Sequence, residues 1–216
     1  MLTIRTPGPH HGQPILQAGP PPGEAPVAGV LVHGRGATAD GILELGRAIA
    51  RDGVTWLAPQ AAGHTWYPQR FLAPIEANEP WLSSALAAVG DVVAQLEASG
   101  LPARRIVLVG FSQGACLALE WLARTAHGVG AVAGLSGGLI GPPGTVWPDT
   151  GRLDATRVFL GCSDIDAHIP KERVLETADV LRARGAAVDA VLYPGMDHTV
   201  SPDEVKRVRE LIESMQ

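Results

Sequence analysis

The sequence predicts a single α/β domain: a mostly parallel sheet with helices on both faces. Three observations carry this. From residue 27 to the end, short apolar runs alternate with stretches of helical periodicity. The runs are continuously apolar, the pattern of strands covered on both faces by helices. The 216 residues are 46% hydrophobic, enough for one core that buries about 70% of the surface the unfolded chain exposes.

The elements follow in order. Residues 1–26 read as a leading loop or edge strands, with Pro14–Gln17 as one strand of a hairpin and GPPPGEAP (19–26) as a turn. Val27–Val32 is the first parallel strand. Thr38 or Asp40 caps a helix running to about Arg51, with Ile42, Leu45, Ile49 and Ala50 on one face. Val54–Ala58 is a strand, and residues 59–80 form a proline-interrupted loop. Trp81–Ser99 reads as a helix stopped by Gly100-Leu101-Pro102. Arg105–Val109 is a strand, followed by a helix from Gln113 to about His127. Val129–Leu135 and Arg157–Gly161 are strands, then Lys171–Arg184 is a helix stopped by Gly185. Val188–Tyr193 is the last strand, and Pro202 opens a helix to about Glu213. No repeat or linker divides the chain, so 1–216 reads as one domain.

Composition narrows the function. The net charge of -5 and pI near 5.8, with no basic run, give no case for nucleic acid. No run approaches the ~20 apolar residues of a membrane span. The first residues, MLTIRTPGPHHGQ, lack the apolar stretch of a signal peptide. The expectation is a cytoplasmic protein. Cys116 and Cys162 are too few for a zinc cage or disulfide scaffold and read as buried small hydrophobes. No metal or cofactor is expected.

Two segments fit G-x-S-x-G: Gly110–Gly114 and Gly134–Gly138. A nucleophile elbow needs a strand, a sharp turn and a helix whose first amides face the developing oxyanion. Ser112 has RIVLVGF before it and QGACLALEWLAR after it. Ser136 is followed by GGLIGPPGTVWP, which cannot be helical. Ser112 is therefore the candidate nucleophile. Ser136 reads as a loop residue at the same sheet edge, with Leu139 and Ile140 as candidate pocket residues.

Serine needs a histidine to take its proton and a carboxylate to fix the tautomer, in the chain order Ser, Asp/Glu, His. His198, in YPGMDHT just past the last strand, is the candidate base. Asp197 adjoins it, and neighbouring side chains diverge. The acid is then Asp164 or Asp166, after the Arg157–Gly161 strand. His33-Gly34-Arg35-Gly36 follows the first parallel strand as an oxyanion loop would. The amides of Arg35 and Gln113 are the candidate donors, with His33 as a buttress.

Taken together, VHGRGA (32–37), WYP (66–68), GFSQGA (110–115), LSGGLIGP (135–142), the 161–170 segment and PGMDHT (194–199) resemble the phospholipase/carboxylesterase family of α/β-hydrolases. The resemblance covers about residues 27–215. It implies an α/β-hydrolase fold with a Ser-Asp-His triad on Ser112, Asp166 and His198. Asp166-Ala167-His168-Ile169-Pro170 is similar to the family's D-P-x-[VI]-P with alanine for the first proline, which favours Asp166 and leaves Asp164 as the alternative. Ala37 stands where the family often has aspartate. The implied activity is metal-free, cofactor-free hydrolysis of a small-molecule ester or thioester.

The expected substrate wall is the 64–81 loop, through Trp66, Phe71 and Leu72, with Leu139 and Ile140 as further substrate-binding residues. Because the core uses nearly the whole chain, no cap domain and a shallow, open site are expected. The competing readings are an acyl thioesterase or lysophospholipase-type hydrolase, a dienelactone-hydrolase type, which commonly carries cysteine at the elbow, and a non-catalytic binding module. Base rates for soluble enzymes allow a homodimer, and the sequence does not fix the oligomeric state.

Overall fold

The computed structural model describes residues 2–50, 52–154 and 156–215. Its strands are β1 (Leu2–Thr3), β2 (Pro14–Ala18), β3 (Val27–Val32), β4 (Val54–Pro59), β5 (Ile106–Phe111), β6 (Ala131–Leu135), β7 (Arg157–Ser163) and β8 (Ala187–Tyr193). Its α-helices are α1 (Ala39–Ile49), α2 (Trp81–Ala98), α3 (Gln113–Thr125), α4 (Lys171–Ala183) and α5 (Pro202–Glu213). All eight strands join one sheet in the order β1-β2-β4-β3-β5-β6-β7-β8. Strands β3 to β8 are parallel, and β1 and β2 add an antiparallel edge.

The continuous apolar runs work as the pleat requires, sending alternate residues to opposite faces. In β5, Ile106 and Leu108 join the core under α2, α3 and α4. Val107 and Val109 join the core under α1 and α5. The sheet therefore carries three helices on one face and two on the other. Burying each such Val, Leu or Ile contributes about 1.5–3 kcal/mol.

Element boundaries differ from expectation at several ends. Thr38 caps α1 by accepting the Gly41 N–H at 3.0 Å. The last helical residue is Ile49; the expected limit, Arg51, lies outside the described residues. Helix α5 begins with a capping box between Ser201 and Glu204. Strand β8 is partly exposed along its length, unlike the fully covered β3 and β4. Its apolar run suggested a covered strand, but its place at the sheet edge leaves it open.

The leading segment is more ordered than its composition implies. Ile4 and Ile15 are core residues, and Arg5 binds the buried Asp91 of α2 through two nitrogens at 2.8 and 3.0 Å. His10 is wholly buried. Its Nε2–H donates to the Trp66 carbonyl and its Nδ1 accepts the Ala62 N–H. Burial lowers its pKa and keeps the ring neutral, as that pair of bonds requires. The lead thus braces the loop that follows β4.

Candidate active site

Strand β5 ends at Phe111 and α3 starts at Gln113, which leaves Ser112 alone on the turn. Ser112 has φ 55° and ψ -119°, a strained conformation for a residue with a side chain. The turn is that tight because both flanking positions lack a Cβ. A Cβ on Gly110 would collide with the Gly114 carbonyl, and one on Gly114 with the Val32 carbonyl. The Ser112 N–H donates to the Leu135 carbonyl at 2.9 Å, fixing the turn to the neighbouring strand.

Three side chains from three different loops converge there. Ser112 Oγ donates to His198 Nε2 at 2.9 Å, and His198 Nδ1–H donates to Asp166 Oδ2 at 2.7 Å. The carboxylate can only accept, so it fixes the Nδ1–H tautomer and leaves Nε2 free to take a proton. The rings of Phe111 and His168 lie 5.0 and 4.8 Å from the His198 ring.

The Asp166 side chain is completely covered. Burial pushes its pKa up, but the hydrogen bonds from His198 and from the backbone N–H groups of His168 and Ile169 outweigh it. The net value lies below the ordinary aspartate 3.8. Asp164 instead accepts the Gly195 N–H at 2.8 Å, bracing the loop that carries His198. Cys162 lies behind Asp166, its Sγ 3.8 Å from Oδ2. Burial, then the Asp166 charge, pushes that thiol up to about 12, so it stays a neutral donor.

The His33–Gly36 loop backs onto the same turn. A Cβ on Gly34 would sit against Ser112 Cβ and the Phe111 carbonyl. His33 is buried and keeps this loop in shape. Its Nδ1–H donates to the Gly34 carbonyl and its Nε2 accepts the Ala61 N–H. Burial lowers its pKa, which preserves the neutral ring. Among the described residues, neither the Arg35 N–H nor the Gln113 N–H donates to a protein acceptor. Their side chains grip one loop. Gln113 Oε1 accepts the Trp66 N–H and its Nε2 donates to the Tyr67 carbonyl. Arg35 donates to Thr65 Oγ1 and to the carbonyls of Pro68 and Gln69.

A cleft of about 530 Å³ opens over Ser112 and His198. Residues 67–71 line it, together with Arg35, Gln113, Cys116, His168 and Ile169. Of the five side chains expected to wall it, only Phe71 does. Trp66, Leu139 and Ile140 are fully buried, and Leu72 packs on the core beside the cleft lining. The reasons are specific. The Trp66 indole N–H is used inside, on the His33 carbonyl. The Leu139 and Ile140 N–H groups bond Thr177 and Glu120 beneath the surface. Cys116 and Ile169 are lining residues that hydropathy alone did not single out. Cys116 was findable, because it stands four residues after Ser112 on the same helix face. Burial holds its thiol up at about 12, so it enters the cleft as an apolar group. Among the described residues, no group of three or more His, Cys, Asp or Glu side chains is placed to hold a metal ion, and no helix is long and apolar enough to cross a membrane.

The sheet order, the crossover helices and a strained serine turn facing a histidine define an α/β-hydrolase. Within that class the chain belongs to the Phospholipase/Carboxylesterase family, whose sequence model matches residues 21–216. Among solved structures it is similar to a phospholipase/carboxylesterase from Dyadobacter fermentans DSM 18053. That match has 41% identity, covers 99% of each chain and has a TM-score of 0.88. It also shares its fold with esterase PE8, at 24% identity, covering 94% of this chain and 98% of that one, TM-score 0.74. A curated relative, acyl-protein thioesterase 1 of Gibberella zeae (strain PH-1), is 33% identical over 118 residues. That match covers 53% of this chain and 49% of the relative, so it spans about half the length of each.

Proposed function

We propose that this protein is a serine ester hydrolase, a carboxylesterase acting on small to medium acyl esters through an acyl-enzyme. The observation that carries the reading is the unbroken chain Ser112 Oγ, His198 and Asp166, at 2.9 and 2.7 Å, opening into the cleft. In this mechanism Ser112 Oγ attacks the acyl carbon while its proton passes to His198 Nε2. The carbonyl oxygen becomes an oxyanion and takes the free N–H groups of Arg35 and Gln113. Asp166 holds the imidazole in place and stabilises the imidazolium as it forms. The tetrahedral species collapses, the alcohol leaves with the proton from His198, and the acyl group stays on Ser112. Water then attacks the acyl-enzyme, giving its proton to His198, and the acid is released with Ser112 restored.

The same groups serve a thioester, with a thiol as leaving group. The likeness to the acyl-protein thioesterase favours keeping that substrate in the test. Turnover of p-nitrophenyl acyl esters of graded length, beside one thioester, is the experiment. Ester turnover in the intact protein that disappears in Ser112→Ala supports the reading. Near-intact turnover in that variant refutes it, and a folded protein inert to the whole panel favours the binding-module reading.

A further inference from the structure

We propose that the substrate of this cleft carries an anionic group, a carboxylate or phosphate, and that the Arg70 guanidinium binds it. The inference deepens the ester-hydrolase reading and rests on it. The whole chain is acidic, with 22 Asp and Glu against 17 Lys and Arg. The cleft reverses that balance: Arg35 and Arg70 line it, and among the described residues no carboxylate does. Asp166 lies beneath, already engaged by His198.

The two arginines are not equivalent. Arg35 spends its guanidinium on three oxygens of the 65–69 loop. Arg70 makes no side-chain hydrogen bond or ion pair among the described residues, yet its backbone is held firmly. Buried Asn78 accepts the Gln69 N–H at 2.7 Å and donates to the Arg70 carbonyl, and the next residue, Phe71, accepts the Gly141 N–H at 2.8 Å. Arg70 is exposed and its guanidinium is free, while the fixed loop means that little backbone order has to be gained when it meets an anion. Arg35 adds positive potential without needing to touch the ligand.

Two matched ester pairs test this. In the first, p-nitrophenyl butyrate is compared with mono-p-nitrophenyl glutarate, whose carboxylate is on the acyl side. In the second, 1-butyrylglycerol is compared with its 3-phosphate, whose anion is on the alcohol side. The expected result is a preference for the anionic ester in at least one pair, by about ten-fold in kcat/KM and mainly through KM. The pair that shows it identifies which side carries the anion. Arg70→Gln should bring that ratio close to one, Arg70→Lys should retain part of it, and Arg152→Gln, an equal charge change outside the cleft, should keep it. A ratio unchanged by Arg70→Gln, or no anionic preference in either pair, overturns the inference. Should the neutral esters still be turned over, the ester-hydrolase reading survives that failure. Were none of the four esters hydrolysed, both would fall together.

Discussion

The sheet contains the same five-residue pattern twice, on adjacent strands. Ser112 has φ 55° and Ser136 φ 53°. The Ser112 N–H donates to the Leu135 carbonyl, and the Ser136 N–H donates to the Gly161 carbonyl, one strand further along. Up to that point the two turns are built alike. After Ser112 the chain becomes α3, and the hydroxyl meets His198. After Ser136 the chain runs as a loop across α3 and α4. Arg173, almost wholly buried, donates to the carbonyls of Leu139, Gly141 and Pro142, and Thr177 and Glu120 take the Leu139 and Ile140 N–H groups. Ser136 is fully buried, and among the described residues its Oγ meets only the weakly bonding Cys162 thiol. On the proposed reading, strand and strain are therefore not sufficient for a nucleophile. The helix that follows and the loop that brings a histidine make the difference.

That difference predicts a series of unequal effects. The largest is at the serines: Ser112→Ala should lower kcat on a p-nitrophenyl ester by about 10⁶-fold, whereas Ser136→Ala should leave it within about two-fold, because the buried Ser136 Oγ bonds none of Ser112, His198 and Asp166. Next comes the acid. Asp166→Asn should lower kcat by about 10⁴-fold through the wrong imidazole tautomer. Asp164→Asn weakens only a brace on the Gly195 N–H and should cost about ten-fold or less. Equal losses at the two aspartates would break the assignment.

Stability should show the reverse asymmetry. Arg173→Met strips three carbonyls of their donor at the second turn and should lower unfolding free energy by about 2–4 kcal/mol in urea. Ser136→Ala removes a buried hydroxyl whose partner is the weakly bonding Cys162 thiol, so stability should shift by no more than about 1 kcal/mol. The smallest effect is in pH. The folded state depresses the Asp166 pKa, so its contribution is fully present above the ordinary 3.8 and fades as pH falls through the lower native value. The stability gap between the intact protein and Asp166→Asn should narrow across that acidic window and stay constant above it.

Much of this contrast was legible in the sequence. The helical periodicity after Ser112 and the GGLIGPPG that follows Ser136 already separate the two turns. Parallel strands were readable because their residues are apolar on both faces. Less of the cleft was readable. Trp66, Leu139 and Ile140 are as apolar as wall residues, and hydropathy cannot tell a loop residue turned into the core from one turned into a cleft. The choice between Asp164 and Asp166 depends on a turn whose direction is set by the Asp166 bonds to the His168 and Ile169 N–H groups. The exposure of β8 depends on strand order, which no single strand encodes.

Labelling with a fluorophosphonate, followed by mapping of the modified peptide, tests the central claim most directly. A single adduct on Ser112, absent from Ser112→Ala and undiminished in Ser136→Ala, is the predicted result. An adduct on Ser136, or none on the folded protein, would contradict it.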